Sequence, residues 1–305
     1  MNKSSILEVH SLVCHNHVEM AIMCLGSLLK FSTQLIKLVI HDDGSLTKED
    51  QIKLKKGLNN VKIITRKEAD KRMDKLLKNY PNCYKFRYKS PFFLKLLDIP
   101  LMSKGDIAFC DSDILFFRPF HGMFQLPDKK TSAIFMKDCQ ESYSAMPWQL
   151  TGPNKLKLIS KVNSGIIFIH KKSYNLDFIE WLLRKKNIIP NSIFLRNPYP
   201  RAEQFCWAAL GYNIGCRLFD PKQIVVMRPN TCFNDRTIAG HFVTDCRYRI
   251  KEFLPKIKDN KEKISLIEVK TIPAKTCTIF GTSEFLFKKL LKRVKGKIKY
   301  LLKID

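Results

Sequence analysis

The stretch KGDIAFCDSDILFFRPF, Lys104–Phe120, carries two carboxylates one residue apart, Asp111 and Asp113, behind an apolar run that reads as a buried strand. If the chain stays extended across Ser112, the two side chains point the same way. Two carboxylates on one side make a hard-oxygen site for magnesium or manganese. Phosphate oxygens would complete the ion's shell, and the ion would neutralise charge on a departing diphosphate. A strand-end turn with solvated acids is the plainer account, because a D-x-D alone matches many unrelated proteins. Neither acid has an obvious basic partner nearby in the chain.

Other residues could join such a site. Asp42 and Asp43 precede Gly44 and Ser45, where they either build an ordinary turn or accept from a nucleobase or ribose hydroxyl. His241, in AGHFVTDCRYR, offers an imidazole suited to manganese or is a partly buried histidine at a strand end. Arg247 and Arg249 could clamp phosphate oxygens bidentately or lie solvated. Asn163–Gly165 (NSG) would bond sugar hydroxyls or form a tight turn. Glu203 and Gln204 open a helix, where Glu203 is either favourable first-turn charge or a catalytic or acceptor-binding carboxylate. Trp148, in SAMPWQLTG, could stack an acceptor sugar or fill a core.

The elements that would position these residues are legible in outline. Ile6–His15 reads as a strand, Val18–Ser32 as a helix, Ile36–Ser45 as a strand, Thr47–Leu58 as a helix capped by Thr47, and Val61–Thr65 as a third strand. This β–α–β–α–β order predicts an α/β fold with a mostly parallel sheet flanked by helices. Further on, Pro91–Met102 reads as an apolar helix and Asp106–Phe117 as one strand. Strands follow at Thr131–Asp138 and Val162–Tyr174, helices at Leu176–Asn187 and Arg201–Tyr212, and short strands at Cys216–Phe219 and Ile224–Met227. Ligands of open parallel sheets bind beyond the carboxyl ends of the strands, where HDDGS and CDSDI both fall. Composition shifts place boundaries at 1–249, 250–284 and 285–305.

The chain has 305 residues, 45% hydrophobic, and a formal net charge of +26. Such a surface attracts anionic partners. The ten cysteines show no C-x-x-C pair and several sit in apolar runs, which predicts free thiols in a reducing, cytosolic compartment. Neither a signal peptide nor a spanning segment is expected. Phe285–Ile304 has helical apolar spacing opposite a face with Lys288, Lys289, Lys292 and Arg293. That is the composition of a helix lying on an anionic membrane, or of a basic helix docked on the main domain.

Together these motifs carry a resemblance. GDIAFCDSDILFF resembles the D-x-D segment of GT-A type nucleotide-sugar glycosyltransferases, closest to the family of glycogenin and the bacterial lipopolysaccharide galactosyltransferases with its LDSDIL run. In the family's order, NSGIIFIHKKSY resembles its NSG strand, EQFCWAAL its DQ helix and GHFVTDCRYR its HF-x-G segment, over Ile6–Arg249. Two departures stand out: the helix opens Glu203-Gln204 instead of Asp-Gln, and CRYR replaces a final Lys-Pro-Trp. HDDGS is similar to the DDGS of an inverting GT-A family, whereas the closer family retains configuration.

The resemblance implies a GT-A fold and a Mn2+ (or Mg2+) ion on Asp111, Asp113 and His241. It implies a nucleotide-sugar lined by His10, Asp42, Asp43, Lys95, Asp111, Ser112 and Arg247. Asn163, Glu203 and Gln204 become catalytic or sugar-pocket residues. The resemblance implies a nucleotide-sugar donor and a saccharide acceptor as partners; the basic C-terminal stretch adds a lipid-linked acceptor and an anionic membrane surface, with the protein peripheral at the inner, cytoplasmic face. Two rivals have other signatures. A haloacid-dehalogenase-like phosphatase using Asp111 as nucleophile would carry its D-x-D in the first strand, and a nucleic-acid-binding protein would cluster its basic residues with exposed aromatics.

Overall fold

The computed structural model describes residues 6–141, 143, 150, 156–184, 199–253, 265–281, 283, 284, 287, 288, 291 and 294. Two β–α–β units begin the chain: β1 (Leu7–Val13), α1 (Val18–Phe31), β2 (Ile36–Asp42), α2 (Lys48–Gly57) and β3 (Lys62–Ile64), all three strands parallel. Leu38, Val39 and Ile40 of β2 are buried in succession, as a strand covered on both faces requires. In α1, Ala21, Leu25 and Leu28 recur at helical spacing and face the core. Thr47 caps α2 as expected, in a reciprocal box with Asp50, and Thr65 with Glu68 does the same for α3 (Arg66–Leu76).

The predicted helix over Pro91–Met102 is two helices. After α4 (Pro81–Arg87) come α5 (Phe92–Leu96) and α6 (Asp98–Met102). Pro100 has no N–H for the carbonyl of Leu96, so the helix breaks, and the Tyr174 hydroxyl donates to that carbonyl instead at 2.7 Å.

The predicted strand Asp106–Phe117 is also two elements. β4 (Ile107–Cys110) belongs to the main sheet and β5 (Ile114–Phe116) to a smaller one. Then follow β6 (Phe120–His121), β7 (Ala133–Lys137), β8 (Val162–Ile169), α7 (Leu176–Arg184), α8 (Tyr199–Ile214), β9 (Cys216–Phe219), β10 (Ile224–Val226), β11 (Ala239–His241), β12 (Ile267–Glu268) and β13 (Thr271–Pro273). The main sheet has eight strands in the order β13-β9-β7-β8-β4-β1-β2-β3. Only β8 and β13 run against the rest. The small sheet is β10-β11-β5.

Strand alternation divides the core in two. Ile107 and Phe109 of β4 join Leu96, Ile179 and Trp207 of the helices on one face. Ala108 and Cys110 join Leu25 and Leu28 of α1 on the other. Because β8 is antiparallel, its first residues meet the carboxyl ends of β1, β2 and β4 at one edge of the sheet.

Candidate active site

That edge gathers the residues with chemistry. The backbone of Asp111 still pairs with β8, its N–H donating to Gly165 O at 2.7 Å; the chain then turns, with Ile114 N donating to Asp111 O at 3.3 Å. Asp111 and Asp113 therefore converge through a turn, not along the extended strand expected from the sequence. The small sheet supplies the third group. β11 pairs antiparallel with β5, setting His241 opposite Ile114, and Phe242 N donates to Asp113 O at 2.9 Å. His241 Nε2 then lies 3.1 Å from Asp113 Oδ1 and 3.6 Å from Asp111 Oδ2. One ligand atom from each of Asp111, Asp113 and His241 falls within 4.8 Å of the others. Asp113 and His241 are buried, while the Asp111 side chain keeps 22% of its surface and opens the cluster to solvent.

Contrary to the sequence expectation, both acids have basic partners, brought from elsewhere in the chain. Lys95 Nζ lies 2.9 Å from Asp111 Oδ1 and 3.0 Å from its Oδ2, and also donates to Ser164 O at 3.2 Å. Arg247 donates from Nε (3.0 Å) and Nη2 (2.8 Å) to Asp113 Oδ2, and its Nη1 lies 3.3 Å from His17 Nε2. Burial raises the Asp111 carboxyl, and Lys95 offsets that only in part. Burial also acts to raise Asp113, but His241 and Arg247 outweigh it and hold this carboxyl well below its usual range. Burial acts to lower His241, and Asp113 more than reverses this. Burial acts to lower Lys95, and Asp111, Glu203 and Asp113 together more than reverse this.

This donor set fits a divalent cation. Two carboxylate oxygens and an imidazole nitrogen suit manganese or magnesium better than a soft metal. Arg247 engages the Asp113 oxygen that faces away from His241, leaving Oδ1 toward the cluster.

The first residues of β8 and α8 complete the floor. Asn163 Oδ1 accepts from Gly165 N at 2.9 Å and faces His241 Nδ1 at 3.1 Å. Ser164 Oγ donates to Glu203 Oε2 at 3.0 Å. Glu203 is buried, and its carboxyl is pushed up to about 7 by burial, against the opposing charge of Lys95. Its Oε1 and the Trp207 Nε1 form no hydrogen bond, although the indole lies close enough to ease the charge slightly. Gln204 Nε2 donates to Val162 O at 2.8 Å, fixing α8 to β8.

No family model matches the chain, and no curated protein does. Solved structures do. A galactosyltransferase LgtC, solved with donor and acceptor sugar analogs, is 11% identical with a TM-score of 0.52, covering 84% of this chain and 97% of that one. Mouse xyloside xylosyltransferase 1 is 12% identical with a TM-score of 0.52, covering 79% and 99%. The bifunctional glycosyltransferase WbbM is 11% identical with a TM-score of 0.53; 86% of this chain is covered, over 51% of that longer one. The fold is that of the GT-A glycosyltransferases.

Within this GT-A fold the remaining expected residues fall in several places. Asp42 and Asp43 lie at the carboxyl end of β2, with their carboxylates used in a turn. Asp42 Oδ1 accepts from Gly44 N (2.8 Å) and Leu46 N (3.1 Å), and Asp43 Oδ1 from Ser45 N (3.0 Å). Gly44, at φ +107, makes that turn. Ser112 is buried in the D-x-D turn. His10 stands apart from the cluster: it is 1% exposed, with Nδ1 2.9 Å from His41 Nε2 and Nε2 3.2 Å from Ser103 Oγ. Strand alternation turns its side chain into the helix-covered face of the sheet. Trp148, Lys289, Lys292 and Arg293 lie outside the described residues. Lys288 is exposed and pairs with Glu284 at 2.5 Å. Sequence reading missed His17 and Asp138. Both reach the site only through tertiary approach, and no local pattern marks them.

Proposed function

We propose that the protein is a metal-dependent glycosyltransferase. It moves a sugar from a nucleotide-diphosphate sugar, in the first instance a UDP-sugar, to a saccharide acceptor in glycolipid or surface-polysaccharide synthesis. The observation that carries this reading is the Asp111–Asp113–His241 cluster at the ligand edge of a GT-A sheet, open on the Asp111 side. The solved LgtC with donor and acceptor sugar analogs supports the partner classes.

Asp111, Asp113 and His241 would hold a Mn2+ or Mg2+ ion, whose charge would stabilise the departing diphosphate. Lys95 and Arg247 orient the two carboxylates and balance their charge. Arg247, 39% exposed, retains a face for an anionic donor. Glu203, buried behind Ser164, adds to the field that Asp111 sets at Lys95.

The protein is read as peripheral at the cytoplasmic face of an inner membrane. No described helix is long and apolar enough to cross one. Phe287, Leu291 and Val294 recur at one-face helical spacing and are 60%, 43% and 45% exposed, which favours the membrane reading over a docked helix.

Calorimetric titration of UDP into the protein, with and without Mn2+, tests the site. Binding is expected to need the metal and to fall at least about tenfold in Asp113→Asn. Binding indifferent to both metal and Asp113 would sink the proposal.

A further inference from the structure

We propose that Asn163, backed by Asp138, is a positioning residue for His241: it fixes the proton on Nδ1, so that Nε2 presents its lone pair to the space shared with Asp111 and Asp113. The purpose of this device rests on the metal reading above; its geometry does not.

The orientation of the Asn163 amide is fixed by two neighbours that can each act in only one sense. Gly165 N–H is a donor and lies 2.9 Å from Oδ1, so that atom is the amide oxygen. The Asp138 carboxylate is an acceptor and lies 3.4 Å from Nδ2, so that atom is the amide nitrogen. Exchanging them would set N–H against N–H and oxygen against carboxylate. The oxygen that faces His241 Nδ1 at 3.1 Å can only accept, and Nδ1 must therefore carry a hydrogen. A neutral His241 that keeps this bond has its lone pair on Nε2, which faces only acceptors, Asp113 Oδ1 at 3.1 Å and Asp111 Oδ2 at 3.6 Å, an arrangement that a cation between them would complete. A partner like Asn163 is what orients an imidazole ligand and sets its tautomer.

The device is buried and braced. Asn163 is 5% exposed and Asp138 8%, so an unmet polar atom there would be costly. Asp138 is itself held, its Oδ1 accepting from Cys139 N at 2.7 Å and its own N–H donating to Lys161 O at 2.6 Å. Gly165 makes room for it. A Cβ there would stand 2.6 Å from His241 Nδ1 and 2.9 Å from Asn163 Oδ1. The NSG run thus serves the cluster from behind: Asn163 holds His241, Ser164 holds Lys95, and the Gly165 carbonyl holds the Asp111 backbone.

The test uses the full chain with 15N-labelled histidines, freed of metal by chelator, with the pH raised until the His241 ring is seen to be neutral, because Asp113 favours its protonated form. His241→Gln assigns the signal. A protonated Nδ1 and an unprotonated Nε2 are expected in the wild type. Asn163→Leu should give a mixed or reversed tautomer and raise the Mn2+ dissociation constant, titrated with the ion alone, by roughly 10–100-fold. Asp138→Ala should shift both in the same direction, and it stands in if Asn163→Leu fails to fold. A neutral wild-type His241 protonated on Nε2 would overturn the proposal. So would a folded Asn163→Leu with unchanged tautomer and Mn2+ affinity but a raised donor KM, which would make Asn163 a sugar contact. If the wild type binds no Mn2+, the metal reading falls, and the metal-free spectrum still decides the tautomer.

Discussion

Glu203 carries its carboxyl at about 7 chiefly because burial penalises its charge. The folded value lies above the ordinary 4.5, so protonation favours the native state. That contribution is whole below about pH 4.5 and is lost as the pH rises through 7; the difference between these limits is about 3 kcal/mol. Glu203→Gln removes the titration. In urea unfolding at pH 5 and pH 8, the variant should gain up to about 3 kcal/mol on the wild type between the two conditions. Parallel pH profiles would refute the assignment. Thr244, just past His241, is a β-branched residue at φ +38, and it stands at the glycine of the resembled HF-x-G segment. Thr244→Gly should leave the thermal stability unchanged or raise it by up to about 1 kcal/mol, and a clear loss would show that contacts hold the strained backbone. At this scale the D-x-D and His241 were legible, because residue type and flanking strand suffice to suggest a ligand. Their cationic partners were not: Lys95 and Arg247 lie 16 and 134 positions from the acids they hold, and only the folded chain pairs them.

Among the elements, the least conspicuous in sequence are tied most firmly. Arg87 of α4 is 1% exposed and donates to both oxygens of Asp98 on α6, at 2.8 and 2.7 Å, with a further bond to Asp70 on α3 at 2.5 Å. Removing one member of such a buried pair leaves the other charge stranded. Arg87→Ala should therefore cost about 3–5 kcal/mol by urea unfolding, while Arg87→Met combined with Asp98→Leu should cost far less. Equal losses in both variants would show that shape, not charge, holds this corner. The opening β–α–β–α–β order was readable because alternation and helical spacing are local signals. The break at Pro100 was readable in principle, from a proline ten residues into an apolar run that begins at Pro91. The exit of β5 into a second sheet was not, since ILFF is equally apolar in either sheet. Nor was the direction of β8, because a continuously buried strand reads the same both ways.

For the whole molecule the governing quantity is charge. A formal +26 on 305 residues gives a long-range pull toward anionic surfaces, and the stretch from Phe285 on concentrates it. The full chain should bind vesicles containing anionic lipid, and weaken steeply between about 0.05 and 0.5 M salt. A chain ending before Phe285 should lose most of that binding in a sedimentation assay while keeping its UDP titration. Undiminished vesicle binding by the shortened chain would move the attachment onto the catalytic body.

The turn at Asp111–Asp113 is also a seam. On one side lies β4 of the main sheet; on the other, β5 leads into the small sheet that carries His241. A ligand gripped by all three residues would rivet two separately hydrogen-bonded sheets together. Occupancy would then be felt as stiffness across the joint, and the tightness of the grip would be limited by how readily the small sheet can move against the large one.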